Sequence, residues 1–316
     1  MGKIILFTAL MLVGFMFFVT SIARQQEKLI EKNYPPGGQF IYVDGVRIHA
    51  VVMGSGPDLV LIHGSSGSTR DMTFALAPQL AENFRVIVFD RPGLGWSQRI
   101  GKDGATLTQQ AEVLIKAARQ LGADKPIVMG QSYGGGVALA WAVNFPKSLS
   151  ALVTVSSVGN VWTTPLDPLY RVTSSWAGSV FVVPLLSAFV SDRRIETSLR
   201  EVFAPQELPE GYMRYIGARL ALRPAVMREN AKQRSNLLND IKGLYKRYGE
   251  ITVPAEIVHG TADDTVNLEL HAEYLAREIP GAVLTRLDGV GHMPHQVATR
   301  DVIAAITRAA TRAGLR

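Results

Sequence analysis

The sequence predicts a doubly wound, mostly parallel α/β sheet, with a helical lobe inserted late in the sheet and a long apolar helix ahead of it. Three observations lead there. Short apolar runs without alternation, such as Asp58–Gly64 (DLVLIHG), Arg85–Asp90 (RVIVFD) and Leu152–Ser157 (LVTVSS), fit strands covered on both faces. Helix-period segments stand between them; in Thr108–Leu121, residues Ala111, Leu114, Ile115 and Ala118 share one face. The alternation stops between about Val158 and Glu250 and then resumes, so both ends of that lobe return to one sheet.

The first element is the apolar one. The 19 residues Ile4–Ile22 carry no charge, and as a helix they span about 28 Å, close to the hydrocarbon thickness of a bilayer. This run accounts for a mean hydropathy of +0.13. An uncleaved anchor fits its length better than a cleavable signal, although Ser21–Ala23 offers a passable cleavage site. Lys3 flanks one end and Arg24, Lys28 and Lys32 the other, a count that slightly favours a cytoplasmic C-terminal side. The short basic N-terminus before an apolar run looks like an export signal and leans towards an exported domain. A polar stretch follows, which reads as a short juxtamembrane helix and then a linker ending in Pro35-Pro36-Gly37-Gly38.

Strands begin at Gln39, where two β-rich runs flank Asp44-Gly45, a hairpin-type turn. The strand at Asp58 follows, then a helical pattern over Met72–Ala81, the strand at Arg85 and the helix at Thr108. Ile127–Gly130 and Leu152–Ser157 are further buried strands. Beyond the lobe come a strand at Ala255–Val258, a helix at Leu268–Ile279, a strand at Ala282–Asp288 and a closing helix at Val297–Arg312. The lobe itself holds Trp162, Trp176 and helical segments at Tyr212–Leu222 and Pro224–Tyr248. The chain thus divides into an anchor over 1–23, a juxtamembrane linker over 24–38, a core over 39–157 and 251–316, and a helical lobe over 158–250.

With no cysteine, the chain has no disulfide, no thiolate nucleophile and no cysteine metal site. Its net charge of +6 comes from dispersed Lys and Arg with no dense basic run or nucleic-acid motif. A basic surface near anionic lipid headgroups accounts for it better than nucleic acid does.

The stretch Ile127–Ala142 (IVMGQSYGGGVALAWA) carries the chemistry. It lacks the lysine of a P-loop and the second glycine of a dinucleotide fingerprint. Gly130-Gln131-Ser132-Tyr133-Gly134 is instead G-x-S-x-G between a strand and a helix, which places Ser132 as a nucleophile on a strained bend. Gly130 and Gly134 then make room for the bend, and the helix N-terminus beside it favours a developing oxyanion. A serine needs a base. Of six histidines, His49 and His271 lie within elements, and His63 and His259 end strands before a glycine and shape turns. His292, after the last strand, is favoured over His295. The orienting acid comes from the loop after Ala255–Val258, where Asp263 is favoured over Asp264. The backbone N–H groups of Tyr133 and Ser65 are the expected oxyanion donors.

Taken in order, His63-Gly64, DRPGLGWS (Asp90–Ser97), GQSYGG, HGTADD and GVGHMPH resemble the α/β-hydrolase family, from about Gln39 to Arg312. The resemblance implies a Ser…Asp…His order, a helical cap made by the lobe, and no metal or organic cofactor. Ser132 stands where epoxide hydrolases and haloalkane dehalogenases of the family carry aspartate, and points to a serine hydrolase. A carboxylesterase or lipase on a small acyl substrate is the first reading. Carbon–carbon bond hydrolysis and acyl transfer use the same residues, and a non-catalytic membrane-tethered binding protein is the rival of another class. The apolar segment Trp176–Val190 is either core packing or a face towards membrane or substrate, and the latter suggests a lipid-derived substrate.

Overall fold

The computed structural model describes residues 1–316. The apolar N-terminal run does not end at its charged flank: one helix, α1 (Gly2–Asn33), carries it through Arg24, Lys28 and Glu31. The short juxtamembrane helix expected within 24–38 is therefore continuous with the apolar helix, and only the last residues of that stretch are linker. Residues 24–33 are mostly good helix formers, and Pro35 and Pro36 supply the stop. Every residue of Gly2–Phe18 is exposed except Met16, whereas Val19 and Ala23, one turn apart, are buried.

Next come β1 (Gln39–Val43) and β2 (Val46–Met53), joined at Asp44 and Gly45. Both turn residues have positive φ (50° and 79°), as a tight hairpin turn demands. The remaining strands are β3 (Asp58–Ile62), β4 (Arg85–Phe89), β5 (Ile127–Gln131), β6 (Ala151–Val155), β7 (Ala255–Gly260) and β8 (Val283–Leu287). They form one sheet in the order β1-β2-β4-β3-β5-β6-β7-β8. The β1–β2 and β2–β4 pairs are antiparallel and the others parallel.

Helices cover both faces, which explains the unbroken apolar strands. Val60, Ile62, Ile87, Phe89 and Val128 face α4 (Leu107–Gln120), α5 (Tyr133–Asn144) and α11 (Leu268–Glu278). Their neighbours Leu59, Leu61, Val86, Val88 and Met129 face α2 (Thr69–Phe74), α3 (Leu76–Leu80) and α13 (Thr299–Arg312). The alternation is the two-residue period of a strand, hidden in sequence because both sets are apolar. The closing helix is broken at Ala298 (φ −129°, ψ 43°), leaving a short α12 (Pro294–Val297) before α13.

Between β6 and β7 the chain forms no strand. It runs through α6 (Pro168–Ser174), a π-type turn at Gly178–Val182, α7 (Val183–Phe189), α8 (Asp192–Phe203), α9 (Tyr212–Ile216) and α10 (Pro224–Leu244). The helix expected over Tyr212–Leu222 splits at Gly217, whose φ of 59° interrupts it. The lobe expected over 158–250 is also less separate than its sequence suggests. Leu237, Ile241 and Leu244 of α10, followed by Tyr248 and Ile251, pack into the same core cluster as α4 and α5. One helix thus runs from the lobe into the body of the domain.

Trp141 on α5 tests how much this packing contributes. It is fully buried, and its Nε1 donates to Ser148 Oγ (2.9 Å). Trp141→Ala leaves a cavity and removes that bond, so unfolding free energy falls by about 3–5 kcal/mol, read as a lower urea midpoint at constant slope.

Candidate active site

The bend at Ser132 is where local sequence and tertiary packing meet. β5 ends at Gln131, α5 begins at Tyr133, and Ser132 between them has φ 53° and ψ −117°. That region is sparsely populated by residues other than glycine and costs about 1–3 kcal/mol. Two bonds hold it: Ser132 N–H donates to Val155 O of β6 (2.9 Å), and Gly135 N–H to Ser132 O (3.0 Å). A Cβ on Gly130 would run into the backbone of Gly134. A Cβ on Gly134 would run into the carbonyls of Ile62 and His63 at the end of β3. Both glycines are needed, but only Gly130 because of its partner across the bend.

Loops after β7 and β8 bring two further side chains to this point. His292 Nε2 lies 3.0 Å from Ser132 Oγ, and His292 Nδ1 lies 2.8 Å from Asp263 Oδ2. All three residues are less than 9% exposed. Asp263 Oδ1 accepts from the N–H groups of Thr265 (3.0 Å) and Val266 (2.9 Å), and His259 Nε2 lies 3.2 Å from Oδ2. Burial pushes the Asp263 carboxyl up, but the bonds from His259 and His292 outweigh it and hold the group well below the usual carboxylate range. A carboxylate only accepts, so His292 Nδ1 carries the hydrogen and Nε2 presents its lone pair to the serine. Asp264 is exposed. His295 faces away, its Nε2 placed 3.2 Å from both oxygens of Asp71.

The loop after β3 closes the other side. A Cβ on Gly64 would come within 3.2 Å of Ser132 Cβ, so this backbone lies directly against the serine. Gly64 O accepts from His63 Nδ1 (2.8 Å) and Arg91 Nη2 (3.1 Å). In a trans peptide the N–H points opposite to the C=O, so the Ser65 N–H is directed away from Arg91. The next N–H, of Ser66, donates to Asn230 Oδ1 on α10 (3.0 Å). Ser65 Oγ is buried without a hydrogen-bond partner. Tyr133 occupies the first position of α5, where N–H groups have no partner within the helix.

Two residues that shape this loop are not legible as functional in the sequence. Arg91 lies inside the motif DRPGLGWS but is wholly buried. Its guanidinium also bonds His63 O, Gln110 and Gln233, and sits 4.1 Å from the Tyr133 ring centroid. Burial lowers its pKa to about 10, which leaves it charged. Asn230 lies on the polar helix of the lobe, where no periodicity or motif marks it. His63 shapes the turn, as expected, through Gly64 O and through its Nε2, which accepts from Arg91 N–H (3.0 Å).

His63 and His271 have a consequence for acid stability. Burial lowers the pKa of His63 to about 4, with Arg91 adding to it, and burial lowers that of His271 to about 4, with His259 adding to it. Both rings are neutral in the folded chain at neutral pH, whereas the unfolded chain titrates near 6.5. As pH falls from about 6.5 to about 4, the unfolded state therefore takes up protons first. Stability present above that window is lost through it, by up to about 1.4 kcal/mol per pH unit and ring. Urea midpoints across this range check the fall. His271→Asn keeps an acceptor for the N–H groups of Gly159 and Asn160 and should flatten it by about half.

A model of the alpha/beta hydrolase fold family matches residues 57–298. The dihydrolipoyllysine-residue acetyltransferase component of the acetoin cleaving system of Cupriavidus necator is 38% identical over 131 residues, 41% of this chain and 34% of that protein. The 2-hydroxymuconate semialdehyde hydrolase of Pseudomonas putida is 28% identical over 264 residues, 82% of this chain and 88% of that protein. Among solved structures, a membrane phospholipase A described as a bacterial virulence factor superposes with a TM-score of 0.67 at 20% identity. That match covers 99% of each chain, so it includes α1.

Proposed function

The chain belongs to the alpha/beta hydrolase fold family, and on that premise we propose that it is a serine hydrolase cleaving an ester-type acyl bond. The observation that carries this reading is the continuous line of Ser132 Oγ, His292 and Asp263 at 3.0 and 2.8 Å. His292 Nε2 takes the Ser132 proton as Oγ attacks the acyl carbonyl, and Asp263 stabilises the imidazolium. The N–H groups of Ser65 and Tyr133 receive the oxyanion at the N-terminus of α5. His292 then protonates the leaving alcohol. A water, deprotonated by the same nitrogen, attacks the acyl-enzyme and releases the acid with Ser132 restored.

An apolar or lipid-derived acyl group is the substrate class this reading favours. The support is α1, a helix long and apolar enough to cross a membrane, which would hold the domain at a bilayer as a single-pass anchor. Carbon–carbon bond hydrolysis is the second reading, supported by the similarity to the P. putida hydrolase. It would use the same nucleophile on a ketone.

A fluorophosphonate probe should label wild-type protein and leave Ser132→Ala unlabelled. Turnover of esters of graded chain length should fall by at least about 10⁴-fold in that variant. Asp263→Asn should lower kcat by about 10³–10⁴-fold, because Nδ1 loses the acceptor that sets its tautomer. Labelling of Ser132→Ala at wild-type level would remove Ser132 from the mechanism. Turnover of a ketone substrate with no ester activity would favour the second reading.

A further inference from the structure

The lobe exposes apolar side chains in one stretch. Leu169 and Val172 on α6, Trp176 after it, Val180 and Phe181 in the turn that follows, and Phe189 at the end of α7 are all exposed, Trp176 by 77%. Single exposed apolar residues are ordinary, but six within 21 positions are not. They lie on consecutive elements that meet at a 97° bend, and across it Trp176 and Phe181 pack edge to face at 6.3 Å.

What covers it is indicated by α1. Val19 and Ala23 of α1 are buried against Ala188 of α7, with Leu185 packed beside them. Those two residues lie at the end of the apolar run Ile4–Ile22, so α7 sits at the level where the span stops being apolar. The turns from Gly2 to Phe18 project free of the domain for about 25 Å. If that length lies in hydrocarbon, the hydrocarbon–headgroup boundary passes at α7 and the residues around it. Trp176 there is of the residue type enriched at membrane interfaces, and the aliphatic and phenylalanine side chains beside it suit shallow insertion. The same elements carry exposed cations, Arg24 and Lys28 on α1, Arg171 on α6 and Arg193 at the start of α8, with exposed Asp167 and Asp192 beside the last two.

We propose that this corner of the lobe is a bilayer-docking surface. Leu169, Val172, Trp176, Val180, Phe181 and Phe189 enter the interfacial zone of an anionic phospholipid leaflet beside the exit of α1. The domain, already packed against α1, then meets the leaflet at a second place, with its lobe turned towards lipid. The proposal rests on the anchor reading of α1 and extends the lipid-substrate reading, but it does not require the chemistry assigned to Ser132.

The absence of cysteine makes the test clean, since Trp176→Cys introduces the only thiol. Full-length Trp176→Cys, spin-labelled and reconstituted in vesicles of phosphatidylcholine and phosphatidylglycerol, should show a nitroxide more accessible to oxygen than to a water-soluble nickel chelate. Glu82→Cys, exposed after α3, should show the reverse. Greater nickel access at 176 would overturn the proposal. So would protection from both agents together with a 176–176 disulfide formed by the unlabelled variant under an added oxidant, which would identify a second copy as the occupant. A paired measurement uses Trp176→Asp with Val180→Asp, both solvent-facing positions. It should lower turnover of a vesicle-embedded long-chain ester about tenfold while leaving a soluble short ester unchanged. Equal loss on both esters would also count against docking. If wild type turns over neither ester, the hydrolase reading fails while the labelling result still stands.

Discussion

Ser132 is held at φ 53°, ψ −117°, and most of the candidate site is arranged around keeping it there. The conformation costs about 1–3 kcal/mol locally. It persists because β5 and α5, on either side, are fully committed to the core: Val128, Met129, Val137, Leu139 and Trp141 are all fully buried. Burying each such side chain is worth about 1.5–3 kcal/mol, so the flanks outweigh the strain several times over. The bend directs Oγ towards the loops at the carboxyl ends of the parallel strands, where β7 and β8 deliver Asp263 and His292.

Buried polar groups behind the site fix those loops. Arg91 ties the carbonyls of His63 and Gly64 to α4 through Gln110 and to α10 through Gln233. Asp90, its neighbour, accepts from Thr69 N–H and Trp96 N–H and faces His49 Nδ1 at 2.7 Å. On the far side, Asp71 accepts from Tyr212 of α9 and Gln296 of α12 and faces His295. Each of these buried charges has several partners, which offset the cost of taking it out of water. The lobe is therefore bonded to the loops beside the site: Asn230, Gln233 and Tyr212 are part of what keeps the loops around Ser132 in place.

The N-terminal helix is joined to the same framework. Glu31 pairs with Arg223 (2.8 Å), Arg223 also donates to Gly95 O and lies 4.8 Å from the Trp96 ring, and Arg70 donates to Pro35 O (3.1 Å). Arg223 is buried, so this contact is less screened than a surface ion pair. The link between apolar helix and domain is thus packed and bonded along its length, and lobe, α1 and the DRPGLGWS loop share one interface.

How much of this was legible in the sequence depends on the range of the interaction. Strand runs, the turn at Asp44-Gly45, the apolar helix and the G-x-S-x-G bend were legible because each follows from periodicity or from sterics within a few residues. The order of motifs along the chain also brings Ser132, His292 and Asp263 to one edge of the sheet, since loop position in an α/β sheet follows from element order. The lobe was legible as helical and as an interruption of the strand–helix order, but its short, broken helices left most of their bounds unread. Asn230 and the buried role of Arg91 were not legible, since nothing local distinguishes an arginine in solvent from one enclosed by carbonyl and amide oxygens. The continuity of α1 across its charge boundary, the entry of α10 into the core and the shared level of α7 with the end of the apolar run were decided only in three dimensions. They depend on which surfaces meet, and contacts between residues far apart in the chain leave no period to read.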